Sequence, residues 1–108
     1  MTRRRIGLFG GTFDPLHLGH LVVGEIVRDA LGLDAMRFVV ANDPWQKSPT
    51  RSITPADRRA EMVAAALEGI DGLEVCTAEI ELGGPSRTIT TIDVLSEREP
   101  DVDWLVII

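Results

Sequence analysis

The sequence predicts an α/β domain whose sheet is parallel and doubly wound. Three observations carry this. Short apolar runs of strand character recur along the chain, stretches with helical apolar spacing fill the intervals between them, and the first run closes on two adjacent glycines before a helix. With 108 residues, 44% of them hydrophobic, and a mean hydropathy of +0.10, the chain has material for one compact core and hardly for two.

Each element has a local reason. Ile6 to Phe9 is an apolar run ended by Gly10 and Gly11, the pattern of a buried strand closed by a turn. Leu18, Leu21, Val22, Ile26 and Ala30 then recur at helical spacing, with Glu25 and Asp29 among them, and Gly32 supplies a stop after Leu31. Met36 to Val40 is rich in β-branched and aromatic side chains and reads as a second strand. Residues 41 to 53 contain two prolines and no period, so a long loop of functional length is expected. Thr54 as cap, Pro55 in the first turn and Asp57 near the positive helix end predict a helix, continued by Met62, Val63, Ala66 and Leu67 as far as Gly69.

Leu73 to Leu82 alternates loosely and reads as extended, until Gly83, Gly84 and Pro85 break it. Ile89, Ile92 and Leu95 give helical spacing across Thr88 to Arg98, and Trp104 to Ile108 forms a last buried strand with Trp104 as core at its start. Alternating strands and helices imply right-handed crossovers. A doubly wound sheet continues past such an apolar strand with a loop and a helix, so the expectation is the N-terminal part of a longer domain.

Charge and cysteine content exclude several classes. A net charge of -6 and a pI near 4.8 do not suit a broad nucleic-acid surface, so any anionic ligand must be met locally. One cysteine, Cys76, permits no intrachain disulfide and fits a reducing compartment. The apolar stretch after Arg3, Arg4 and Arg5 is too short for a secretion signal, and no run approaches a membrane span. A cytoplasmic protein is expected.

The chemistry concentrates in GLFGGTFDPLHLGH, residues 7 to 20. In an open α/β sheet ligands sit beyond the carboxyl ends of strands, where this turn lies. Glycine lets backbone approach a ligand, and the following helix aims free N–H groups and a partial positive charge at the same place. The spacing is neither the dinucleotide fingerprint nor the P-loop. Two histidines stand instead: His17 and His20, three apart, fall on one face if the helix has begun by His17, with Gly19 sparing room between them. Imidazoles there can donate to phosphoryl oxygens and stabilise charge that develops on them. The plainer alternatives are a histidine cap and an ordinary glycine turn; a zinc pair lacks a third ligand. Asp14 is expected to orient the turn by an Asx-type hydrogen bond, and Arg58 or Arg59 to lie on a solvated helix face.

GGTFDPLHLGH resembles the signature of the H-x-G-H nucleotidyltransferase family, and within it the nicotinate mononucleotide adenylyltransferases. The similarity continues through DPWQK, TPADRRAEMVAAAL, GGPSRTITTIDVL and WLVII in the same order, and covers nearly the whole chain. The resemblance implies a Rossmann-like domain that transfers the adenylyl group of ATP to nicotinate mononucleotide, giving deamido-NAD and pyrophosphate. It implies ATP binding by Gly10, Gly11, Thr12, Phe13, His17, Gly19 and His20, with His17 and His20 as the catalytic pair and Mg2+ accompanying ATP. It implies substrate contacts from Lys47, Trp45, Arg87 and Thr88. For Lys47 the alternative is a solvated loop lysine; Trp45 is expected to anchor its loop, with base stacking as the other role. Arg87 stands where a tyrosine is common, and a guanidinium there could pair a nicotinate carboxylate. The family's second phosphate motif, ISST with a following arginine, does not occur in these residues. Expected partners are the two nucleotides, with a homo-oligomer as an option and neither nucleic acid nor membrane. The alternatives are a phosphopantetheine adenylyltransferase, a cytidylyltransferase, or a noncatalytic nucleotide-binding module.

Overall fold

The computed structural model describes residues 3–42, 53–84 and 87–107. Among the described residues four strands and four helices follow in the order β1 (Arg4–Gly11), α1 (Leu18–Leu31), β2 (Ala35–Val40), α2 (Ala56–Leu67), β3 (Leu73–Cys76), α3 (Ala78–Leu82), α4 (Thr88–Arg98) and β4 (Val102–Ile107). The sheet order is β3-β2-β1-β4 and every neighbouring pair is parallel, with Phe9 opposite Phe38 on one side and opposite Ile107 on the other.

The period-2 alternation of the strands divides the core between the two faces. Met36, Phe38 and Val40 join Val63 and Leu67 of α2, and Phe9, Leu105 and Ile107 pack against that cluster. Leu8 and Val39 turn the other way, toward Ala78 of α3 and Leu95 of α4, with Trp104 packed beside them. Burial on both faces explains why the strands read as near-continuous apolar runs. Arg37, also on β2, is held by Glu74 of β3 (2.9 Å) and twice by Glu99 after α4 (2.5 and 3.0 Å), and its guanidinium lies 5.3 Å from the Trp104 ring centroid.

Three expectations are corrected. The stretch Leu73–Leu82 is extended only as far as Cys76; Ala78–Leu82 is a short helix, in which the Glu81 N–H donates to Thr77 O and the Gly83 N–H to Glu79 O. Thr54 is not the cap of α2. Pro55 takes that position, and the Thr54 amide donates instead to the Asp14 carboxylate, 2.8 Å away in another loop. The apolar stripe of α1 faces the sheet only in part: Leu21 packs against the core with Val27, but Leu18, Val22 and Ile26 are exposed, and the closest approach is at Gly24, whose ideal Cβ would lie 2.7 Å from Phe38 Cζ. Similarly, Met62 and Ala66 of α2 lie at the surface, while Arg59, Ala60, Val63 and Leu67 form its buried face. The stop at Gly32 is as expected: φ is +61°, and its N–H donates to Asp29 O while Leu33 N–H donates to Arg28 O.

Candidate functional site

The order β3-β2-β1-β4 reverses at β1: the chain builds outward through β2 and β3, then crosses to the other side for β4. The turn leaving β1 therefore occupies the crevice beyond the strand ends where open α/β sheets bind ligands. Gly10 and Gly11 end the strand there. Among the described residues nothing lies within 4 Å of an ideal Cβ on Gly10, which is exposed. At Gly11 an ideal Cβ would lie 3.1 Å from the edge of the Phe13 ring.

Phe13 has a left-handed φ of +52°, unfavourable for a bulky residue and therefore held by its surroundings. The holding contacts are aromatic. Its ring is buried and meets Phe9 edge-on at 5.9 Å, Phe38 at 5.7 Å and His20 edge-on at 5.1 Å. Its side chain is thus core, and only its backbone is left to face a ligand. Asp14 keeps a structural role, but its acceptor serves the Thr54 amide across the fold.

His17 is the cap of α1 and His20 the third residue of its first turn. The His17 backbone N–H donates to His20 Nδ1 (3.1 Å), and the His20 N–H donates to His17 O (2.9 Å). The first bond requires a lone pair on Nδ1, so the His20 proton resides on Nε2 and the ring is neutral. Partial burial, then the neighbouring His17, depress the His20 pKa below its ordinary value, which reinforces that state. The two rings stack with centroids 3.9 Å apart and planes tilted by 30°. The histidine cap thus sets both rings side by side at the positive end of a helix.

Thr12 is fixed through its carbonyl, which accepts from Arg59. Sequence reasoning assigned one of the two arginines to solvent: Arg58 is exposed, but Arg59 is 1% exposed. The missed signal was its position four residues before Val63 and eight before Leu67, on the apolar stripe of α2. Arg87 and Thr88 stand exposed at the start of α4, and Asn42 at the end of β2 donates to Gly84 O (2.9 Å) in the segment leading there. Lys47 and Trp45 lie outside the described residues. No group of three or more His, Cys, Asp or Glu that could hold a metal occurs among the described residues, and magnesium favours oxygen donors over imidazole. Among the described residues no helix is long and apolar enough to cross a membrane.

The family model described as cytidylyltransferase-like matches residues 8–108. A probable nicotinate-nucleotide adenylyltransferase of Rubrobacter xylanophilus is 42% identical over 95% of this chain and 48% of its own length. One of Methylibium petroleiphilum is 43% identical over 98% of this chain and 49% of its own. The chain spans about half the length of the curated relatives it matches. Among solved structures, the nicotinic acid mononucleotide adenylyltransferase of Plasmodium falciparum complexed with NaAD superposes with a TM-score of 0.74, covering 95% of this chain and 50% of that one. At 16% identity that likeness shows a shared fold.

Proposed function

The chain belongs to the cytidylyltransferase-like family, and from that premise we propose that it carries the nucleotide-binding turn of an adenylyltransferase acting on nicotinate mononucleotide. A phosphate oxygen of the mononucleotide attacks the α-phosphorus of magnesium-bound ATP. The bond from that phosphorus to the bridging oxygen breaks, pyrophosphate leaves with the electron pair, and deamido-NAD results. Such a transfer needs alignment and charge stabilisation more than a protein nucleophile. Each residue's role follows from its place. Gly10 and Gly11 admit the triphosphate against the backbone, the first-turn amides of α1 with Gly19 meet its charge, and His20 donates from Nε2 to a phosphoryl oxygen with His17 beside it.

The observation that carries this reading is the paired histidine cap, held by its own hydrogen bond at the reversal point of the sheet, next to the exposed Gly10. The printed names of relatives at 42% and 43% identity support the acceptor. On the acceptor side we assign Arg87 to the nicotinate carboxylate and Thr88 to its neighbourhood, Lys47 to substrate phosphate and Trp45 to the same loop. A cytoplasmic location accords with a biosynthetic role of this kind. The test is calorimetric binding of magnesium-ATP, then pyrophosphate release with nicotinate mononucleotide, its amide or phosphopantetheine offered separately. Binding of ATP and fastest release with nicotinate mononucleotide are expected. Absence of ATP binding, or preference for phosphopantetheine, refutes the assignment.

A further inference from the structure

Arg59 belongs to a helix but spends its guanidinium on loops. Its Nε donates to Thr54 O (2.7 Å), Nη1 to Thr12 O (2.9 Å) and Ala41 O (2.7 Å), and Nη2 to Asn42 O (3.2 Å). Those carbonyls come from three segments: the turn after β1, the end of β2 and the entry to α2. The Asn42 side chain then reaches Gly84 O (2.9 Å), where Gly83 and Gly84 both have positive φ and the chain turns toward Arg87 and Thr88. Burying a cation against carbonyl dipoles is costly, and burial indeed pushes the Arg59 pKa down, with Asp14 opposing the shift. Anchoring α2 alone does not call for this, since Val63 and Leu67 already seat the helix by apolar contact. A planar five-donor fork, by contrast, can hold carbonyls that diverge, which a lysine ammonium cannot.

We propose that Arg59 is a positioning residue that holds the nucleotide turn and the acceptor segment in one fixed relation, through Thr12 on one side and the Asn42–Gly84 link on the other. The inference rests on the function proposed above for its link to activity, although the mechanical claim can be tested without a nucleotide. Amide hydrogen exchange compares wild type, Arg59→Lys and Val63→Ala, the last removing core contacts behind the same helix. Arg59→Lys is expected to speed exchange at Thr12–Asp14 and at Gly84 together, by about tenfold relative to the centre of β2, and to raise the Kd for magnesium-ATP about tenfold. Val63→Ala is expected to lower the melting temperature while leaving both the exchange ratio and the Kd unchanged, measured well below melting.

If Arg59→Lys loosens only one of the two segments, or behaves like Val63→Ala, Arg59 is a packing anchor and the proposal falls. If exchange changes as expected but wild type binds no ATP, the positioning claim stands and the assigned function falls. If His20→Ala weakens ATP binding while Arg59→Lys does not, the site stands and the positioning role falls.

Discussion

Arg37 and Arg59 are both buried or nearly so, yet they sit in different chemistry. Arg37 lies within the sheet and is met by two carboxylates and the Trp104 ring; the pairing drives its pKa up and that of Glu99 down. Arg59 lies at the carboxyl ends of the strands and is met by backbone carbonyls of loops, and burial drives its pKa down. The first arginine ties elements whose positions the hydrophobic core already sets. The second ties together carbonyls of three loop segments, one of them the turn that Phe13 anchors in the core. The mid-sheet arginine is thus paired directly with carboxylates, whereas the arginine at the strand ends bonds loop carbonyls, with the Asp14 carboxylate acting on it only as a nearby charge.

The sharpest test of that division is His20→Ala. Turnover, followed as pyrophosphate release, is expected to fall ~100-fold or more, the range for removing one donor aimed at developing charge. Unchanged turnover would place the histidines with the scaffold and break the comparison. Next is Gly24→Ala, on the scaffold side. The added methyl would collide with Phe38 Cζ at 2.7 Å, and urea unfolding is expected to show a loss of about 1–3 kcal/mol. A neutral result would mean that α1 can move off the sheet freely.

Arg37→Gln is expected to cost less, about 1 kcal/mol, because Glu74 is 43% exposed and solvent screens that pair. ATP affinity should not change; a tenfold loss would show that the mid-sheet arginine serves the site after all. The smallest effect separates the two regions by pH. The His20 pKa is depressed in the folded chain, so its contribution is complete above the ordinary value of 6.5 and is lost as pH falls through the lowered folded value. Glu99 is depressed by Arg37, so its contribution is complete above 4.5 and is lost only in more acidic solution. Thermal melts from pH 8 to 3 are expected to show the first decline vanish in His20→Ala and the second in Arg37→Gln. Loss of both declines in either variant would show that the regions are coupled.

How far the sequence was legible differed by element. The strand-turn-helix start, the stop at Gly32 and the helix at Thr88 follow local rules that the structure keeps. Residues 77–82 escaped because a loose alternation fits a strand or a short helix, and the backbone bonds of Glu81 to Thr77 and Gly83 to Glu79 that distinguish them leave no mark in the residue pattern. The stripe Leu18, Val22, Ile26 has helical spacing, but spacing does not say which side meets a sheet, and Gly24 permitted the closer approach. At the candidate site, the placing of His17 and His20 together at the start of α1 was readable from their spacing. Arg59 was not, since an arginine beside another arginine near a helix start looks solvated, and its partners lie up to 47 residues away.

By itself the sequence determined the alternation of elements, the parallel sheet and the two histidines at one turn, because periodicity, glycine stops and residue chemistry act over a few neighbouring positions. Only the tertiary structure decided that α1 comes closest to the sheet at Gly24, with Leu21 and Val27 packing beside it, that a His17 amide locks the His20 proton onto Nε2, and that Arg59 gathers carbonyls from three segments. Those outcomes depend on groups distant along the chain meeting at hydrogen-bond length, which burial of the shared core brings about and no local pattern encodes.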